Sequence, residues 1–213
     1  TMSESHDDHD DVVIDGVYWT KTIPSLEENS VYDVYFLNFR NMDFLGSGNS
    51  LTSYNNIGLR LNGQKDNLVL ESEWTLQTSS GTSSRNDVSA ILFSFNLGYK
   101  PTGTRFLNSV LLGLDRISGD DSSTDTAEGF SKEFGARHKH HGFYDYNLHK
   151  KYFGHGHDGL NEINAKANID ILKRTNLLVA LHNFRSAVKD IYYGSEVNFI
   201  FKTKHNDEVS SEI

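Results

Sequence analysis

The chain of 213 residues has no cysteine and only two prolines. Without cysteine it can form neither disulfides nor thiolate metal sites, and two prolines leave no proline-rich linker. No stretch approaches the ~18 consecutive apolar residues that a membrane-spanning helix needs. A net positive charge is lacking as well, because 20 Lys and Arg against 29 Asp and Glu give a formal net charge of −9. This argues against nucleic acid as a partner, since phosphate binding needs a basic surface.

What the chain has in abundance is alternation of polar and apolar side chains. Between 160 and 171, Ile163, Ala165 and Ile169 share one parity, and the polar residues share the other. A period of two indicates an extended strand, whereas no useful segment shows a convincing helical period. Only 143–153 is ambiguous between a short helix and a strand. We therefore predict an all-β chain, with strands near 12–21, 31–40, 54–62, 68–77, 88–99, 106–117, 160–171, 176–184 and 195–204.

Alternation alone does not say what the apolar side of each strand contacts. Connections after the even-numbered strands are the longer ones: 41–53, 78–87, 118–159 and 185–194. Outer-membrane barrels likewise have short periplasmic turns and longer extracellular loops. Aromatic residues also lie near the proposed strand ends, as an interfacial girdle requires: Trp19, Tyr54, Trp74, Tyr99, Tyr192 and Tyr193. These features favour an antiparallel up-and-down transmembrane β-barrel. A soluble β-sandwich or lipocalin-like binding module with a histidine-rich loop remains the alternative.

The most distinctive segment is "LDRISGDDSSTDTAEGFSKEFGARHKHHGFYDY", residues 114–146. Its motifs are SGDD, then a Phe-X-X-X-Phe-Gly element, then Arg-His-Lys, then Gly-Phe-Tyr-Asp-Tyr. In this order they resemble the alginate-export family of outer-membrane porins, as do the later "LHNF" and "GSEVNF". The matching motif residues are Ser118, Gly119, Asp120, Asp121, Arg137, His138, Lys139, Gly142 and Asp145. His140 and His141 differ from the family segment, which has an aromatic and a small polar residue there.

The resemblance implies a fold, a location and an activity. Family barrels have about eighteen strands, so residues 1–213 are expected to be a single partial barrel domain, the C-terminal half, with 118–159 as a long extracellular loop. The terminal "EVSSEI" would begin a further strand, and "TMSESHDDHDD" at the start is not a signal peptide. The implied protein is a monomeric channel in the outer membrane of a Gram-negative bacterium. It would pass an anionic, alginate-like polysaccharide or small polar solutes, without enzymatic activity or a cofactor.

The polar parity of the strands supplies the predicted lumen lining. Its charged members are Arg60, Glu71, Glu73, Asp115, Lys166, Asp170, His182, Glu196 and Lys202. A ring of charges can discriminate among solutes, although such residues equally serve as interior ion pairs and hydrogen bonds. Arg60 and Lys166 are the candidates for contacting an anionic solute, because a cation must do so.

The histidines and nearby carboxylates raise the possibilities of metal binding and of catalysis, which we compare with the simpler interpretation of a polar loop. The set His138, His140, His141, His149, His155 and His157, with Asp145 and Asp158, has zinc-ligand types but no HExxH spacing. We interpret these as solvated or hydrogen-bonded residues of a polar loop and predict no metal site. Asp120, Asp121 and Asp125 lack the spacing of a calcium loop. Ser89 and His182 could be cast as nucleophile and base, but no spacing supports that pairing.

Overall fold

The computed structural model describes residues 12–26, 30–41, 53–79, 87–131, 141–142, 157–205 and 210–212. These residues contain ten β-strands: β1 (Val12–Thr22), β2 (Val31–Asn41), β3 (Ser53–Lys65), β4 (Leu68–Ser79), β5 (Ser89–Tyr99), β6 (Leu107–Ile117), β7 (Leu160–Leu172), β8 (Thr175–Arg185), β9 (Tyr192–Lys204) and β10 (Ser210–Glu212). The nine predicted strands are confirmed, with ends shifted by no more than about three residues. Within the described ranges, no helix is long and apolar enough to cross a membrane.

All ten strands form one sheet in the order of the chain, and each pairs antiparallel with the next. The predicted all-β, antiparallel, up-and-down architecture is therefore confirmed. β1 and β10 each have a single neighbour among the described residues, so the sheet is not closed. A two-sheet sandwich would divide these strands between two layers, whereas here they share one.

The connections follow the predicted pattern only in part. β3 and β4 are joined by Asp66 and Asn67 alone, with Asp66 at a φ of 52°, a conformation that Asp tolerates better than most residues. β7 and β8 are also joined by two residues. However, the connection 186–191 between β8 and β9 is shorter than 23–30 between β1 and β2. The predicted alternation of long and short connections is wrong at that point. β9 begins at Tyr192, three residues before the start that the polar and apolar pattern predicted.

The two faces of the sheet differ sharply, and the strand register defines them. We call the face that includes Leu59, Trp74 and Leu112 the apolar face, and the opposite one, with Glu73, Asp115 and Glu162, the polar face. Large side chains on the apolar face are exposed, up to 69% for Val17. They are Val17, Trp19, Val34, Phe36, Ile57, Leu59, Leu68, Trp74, Leu76, Ile91, Phe95, Leu97, Tyr99, Val110, Leu112, Leu114, Ile163, Ile171, Leu181, Val197, Phe199 and Phe201.

Most buried strand residues lie on the polar face. A small apolar cluster lies near the end of the sheet where the 118–159 connection leaves it, made of Ala90, Ile117, Phe130, Leu160 and Phe184, with Leu92 and Tyr193 packed against it. Tyr54 is also buried on this face and stacks on Phe39, with ring centroids 5.0 Å apart. The girdle interpretation is therefore wrong for Tyr54, whose ring is buried, whereas Tyr193 is half-buried against the apolar cluster. Trp19, Trp74, Tyr99 and Tyr192 are exposed.

Candidate functional site on the polar face

The nine charged residues predicted to line a lumen all lie on the polar face. Register pairs connect them directly in two places, Arg60 with Glu73 and His182 with Glu196. The other five residues lie on the same face because the register partners of neighbouring strands, followed from β4 to β9, all point to one side of the sheet. They are Glu71, Asp115, Lys166, Asp170 and Lys202. Strand alternation therefore gathers these side chains on one surface, although they are spread over more than 140 residues of sequence.

Carboxylates outnumber cations on this surface. Strands β1 to β9 place seven carboxylates on the polar face: Asp33, Glu71, Glu73, Asp115, Glu162, Asp170 and Glu196. They place four cations there: Arg60, Lys166, Lys202 and Lys204. The described strands therefore present an acidic polar face, in keeping with the net charge of the whole chain.

One hydrogen-bond network joins β2 to β4 across β3. The Tyr35 hydroxyl donates to Glu73 Oε1 at 2.8 Å, and it also bonds the Thr75 hydroxyl. The Tyr35 ring reaches β4 by crossing Gly58, where a Cβ would come within 2.0 Å of the ring. Arg60 lies beside this network, with Nη1 4.0 Å from Asp33 Oδ2, and its side chain is 47% exposed. Because the Arg60 guanidinium is half-exposed and its ion pair with Asp33 is long, some of its N–H donors remain available to a solute.

The first part of the 118–159 connection folds onto the polar face. Gln77, fully buried on β4, donates from Nε2 to the Ser131 carbonyl and accepts from the Ser131 amide at Oε1. Phe130 fills the apolar cluster next to Phe184. A parallel bridge joins Val88 to Ala127. This part of the connection is thus held by packing and by paired hydrogen bonds.

The SGDD segment builds this local fold. The Ser118 hydroxyl donates to the Glu128 carbonyl at 2.6 Å, and Asp120 Oδ1 accepts from the Glu128 amide at 2.9 Å. Gly119 packs so tightly on Asp158 that a Cβ would lie 2.2 Å from its carbonyl carbon. Asp121 Oδ1 accepts from the Ser123 amide, and these hydrogen bonds lower the pKa of Asp121. The segment is accounted for by turn chemistry.

Several predicted motif residues lie outside the described residues. They are Arg137, His138, Lys139 and Asp145, together with His140, His149, His155 and the ambiguous segment 143–153. Gly142 is described and buried, at a φ of 76°. Asp158 accepts from Lys189 Nζ at 2.8 Å.

A buried group of imidazoles and carboxylates lies where the connection returns to the sheet. Glu162, fully buried on β7, accepts from two histidines: His141 Nδ1 lies 2.6 Å from its Oε2, and His182 Nδ1 lies 2.6 Å from its Oε1. Asp115 Oδ2 is 4.0 Å from His141 Nδ1. The two imidazoles therefore hold the Glu162 carboxylate from both sides, and one of them comes from the connection.

The lumen prediction omitted several residues that contribute here. Glu162 and Asn164 share the parity of Lys166, so alternation could have identified them. Gln77 carries the polar parity of Glu73 in the same way. His141 gave no such signal, because its position depends on how a long connection folds back. The hypothetical pairing of Ser89 with His182 has no support, since Ser89 lies on the apolar face and His182 on the polar face.

No protein-family model, curated protein or solved structure matches this chain.

Proposed function

We propose that the chain forms part of the wall of an outer-membrane β-barrel that acts as a channel for polar solutes. The observation that carries the proposal is the exposure of the apolar face, on which the described residues pack nothing. Lipid would cover that face, and the polar face would line the passage. The motif resemblance to alginate-export porins supports the same location in the outer membrane of a Gram-negative bacterium.

Exposure of the apolar face to water would be energetically unfavourable. Soluble monomers rarely expose contiguous apolar patches larger than a few hundred Å², whereas here 22 large apolar side chains on neighbouring strands are exposed. Meanwhile Gln77, Glu162 and His182 are buried on the opposite face. A soluble sheet would reverse that distribution. The soluble binding module therefore has no specific observation in its favour.

The charge of the polar face determines which solutes the proposed channel would favour. Seven carboxylates against four cations give a surface that favours cations and neutral solutes over anions. We therefore propose small polar solutes as the cargo. An anionic polysaccharide, which the resemblance implies, would have to find its contacts at Arg60 and Lys166. The connection 118–131, folded on the polar face, would narrow the passage.

Folding into detergent tests the proposal. The chain is refolded into detergent micelles and run on a gel with and without boiling. A membrane barrel wall should migrate differently when unheated, and it should need detergent to stay dispersed. A chain that is monodisperse in plain buffer and shows no heat-dependent shift would contradict the proposal.

A further inference from the structure

The buried group around Glu162 has the composition of a metal site. Asp115, His141 and Glu162 are each less than 10% exposed, and one ligand atom from each lies within 4.8 Å of the others. We propose that these three residues bind a divalent transition-metal ion of the zinc class. Imidazole nitrogen with two carboxylate oxygens is a donor set that suits such ions and leaves a position open.

The distances need only small side-chain rotations. Donor atoms about 2.0–2.2 Å from one tetrahedral ion lie roughly 3–4 Å apart. His141 Nδ1 is 2.6 Å from Glu162 Oε2 and 4.0 Å from Asp115 Oδ2, which brackets that spacing. The ion takes the place of the proton that Nδ1 shares with Oε2, and the neutral imidazole then carries its proton on Nε2.

A second, independent observation lies beside these ligands. Asn164 is 2% exposed, and its Oδ1 has no hydrogen-bond partner among the described residues. Its Nδ2 donates to Glu162 Oε1 at 3.2 Å, so the carboxamide borders the site. Its Oδ1 faces the space above Gly113, where the Asn96 Oδ1 also converges, each 2.4 Å from the position of a Cβ. A metal-bound water there would donate to the Asn164 Oδ1, which otherwise lacks a donor among the described residues, and it would lie beside the Asn96 Oδ1.

Charge gives a third argument. The Glu196 carboxylate approaches the same group, because a Cβ on Gly142 would lie 2.8 Å from its Oε1. The carboxylates of Asp115 and Glu162 are thus buried beside two imidazoles, and the half-buried Glu196 carboxylate lies near Gly142, next to His141 in the chain. Buried carboxylates require compensating positive charge, and a divalent ion supplies it. His182, whose Nδ1 donates to Glu162 Oε1, is then a positioning residue that orients the carboxylate.

The ion would join two parts of the fold. Asp115 and Glu162 lie on β6 and β7, whereas His141 belongs to the connection between them. Metal binding would therefore attach the part of the connection around His141 to the polar face. This inference does not depend on what covers the apolar face, since every ligand lies on the other side of the sheet.

Titration of metal-free protein tests the site. The full chain, folded and stripped with a chelator, is titrated with Zn²⁺ by calorimetry, and with Co²⁺ by visible absorption. We expect one equivalent to bind with the ligand-field bands of a low-coordinate Co²⁺ site. His141→Ala and Glu162→Gln should each weaken binding more than about 100-fold, and His182→Ala about 10–100-fold.

Matched variants separate this site from other histidines. His205→Ala and His157→Ala remove imidazoles outside the group and should leave the affinity unchanged. Circular dichroism of each variant checks the fold, and His141→Ala, which changes no strand residue, keeps the test valid if Glu162→Gln fails to fold. Absence of saturable binding at micromolar Zn²⁺ would overturn the proposal. So would stoichiometric binding that His141→Ala leaves intact.

Discussion

On the apolar face of the sheet, Leu112, Ile163 and Phe199 leave more than half of their surface uncovered. On the polar face, Gln77, Glu162 and His182 are almost completely buried. Both faces come from the same strands and the same alternation, yet among the described residues only the polar face is packed by protein. The comparison teaches that the core of this chain is polar, with a small apolar cluster where the 118–159 connection packs. Its large apolar surface is left for another medium, which we propose is lipid.

The largest expected effect comes from the packed part of the polar face. Phe184 is 1% exposed at the centre of the cluster with Phe130 and Leu160. Phe184→Ala should lower the free energy of unfolding by about 3–5 kcal/mol, because it leaves a cavity under the connection. Phe199→Ala on the apolar face is the matched control and should lose distinctly less, since the described residues leave 59% of its surface exposed. Denaturant unfolding in detergent measures both, and equal losses would remove the distinction between the faces.

A charge on the apolar face should have the next largest effect. Leu112 lies at the centre of β6 and is 66% exposed. Leu112→Arg should cost about 2–4 kcal/mol in a bilayer, because the charge then lies at membrane depth. The matched variant Asn198→Arg places the same side chain on the polar face and should change stability by no more than about 0.5 kcal/mol. Refolding into lipid vesicles is the measurement. A Leu112→Arg protein as stable as the parent would indicate that water covers that face.

Charge reversal on the polar face should have a smaller, selective effect. Two unit charges about 10 Å apart in water interact by roughly 0.4 kcal/mol, so replacing a cation by an anion changes a passing ion's energy by about 0.8 kcal/mol. Arg60→Glu and Lys166→Glu should therefore each favour a passing cation up to about fourfold and disfavour an anion by the same factor, so that the cation-to-anion permeability ratio rises up to about 16-fold. Reversal potentials in planar bilayers report this preference. Lys65→Glu, at the end of β3 on the apolar parity, is the control, and unchanged selectivity in both polar-face variants would contradict the proposed lumen.

The smallest effect concerns the SGDD turn. Hydrogen bonds from Ser123 lower the pKa of the Asp121 carboxyl. Because the folded pKa is the lower one, the stabilisation is present above the ordinary aspartate pKa of about 3.9 and is lost as the pH falls through the folded value. The protection of the Ser123 amide against hydrogen exchange, relative to the intrinsic rate at each pH, should therefore fall in acid. Asp121→Asn, whose amide oxygen still accepts, should show much less pH dependence. A wild-type exchange profile identical to that of Asp121→Asn would contradict this role.

The sequence predicted the strands well, because a period of two is a local signal that every strand repeats. It also predicted the faces, since Arg60, Lys166 and His182 each follow from parity. It could not predict that His141 contacts Glu162, or that Ser131 forms a hydrogen bond with Gln77, which lies 54 residues earlier. The contacts of a connection cannot be read from the polar and apolar pattern of its residues. Tyr54 shows the converse limit: an aromatic near a strand end has the same local pattern whether its ring is buried or exposed.

The proposed contact between the apolar face and lipid can be tested through the two tryptophans of the chain. Trp19 and Trp74 both lie on the apolar face and are 50% and 57% exposed. The folded protein is placed in vesicles whose acyl chains carry bromine, which quenches tryptophan at contact. We predict strong quenching by the brominated lipid and little by aqueous acrylamide. Full fluorescence in brominated lipid, with efficient acrylamide quenching, would contradict the assignment of this face to the membrane.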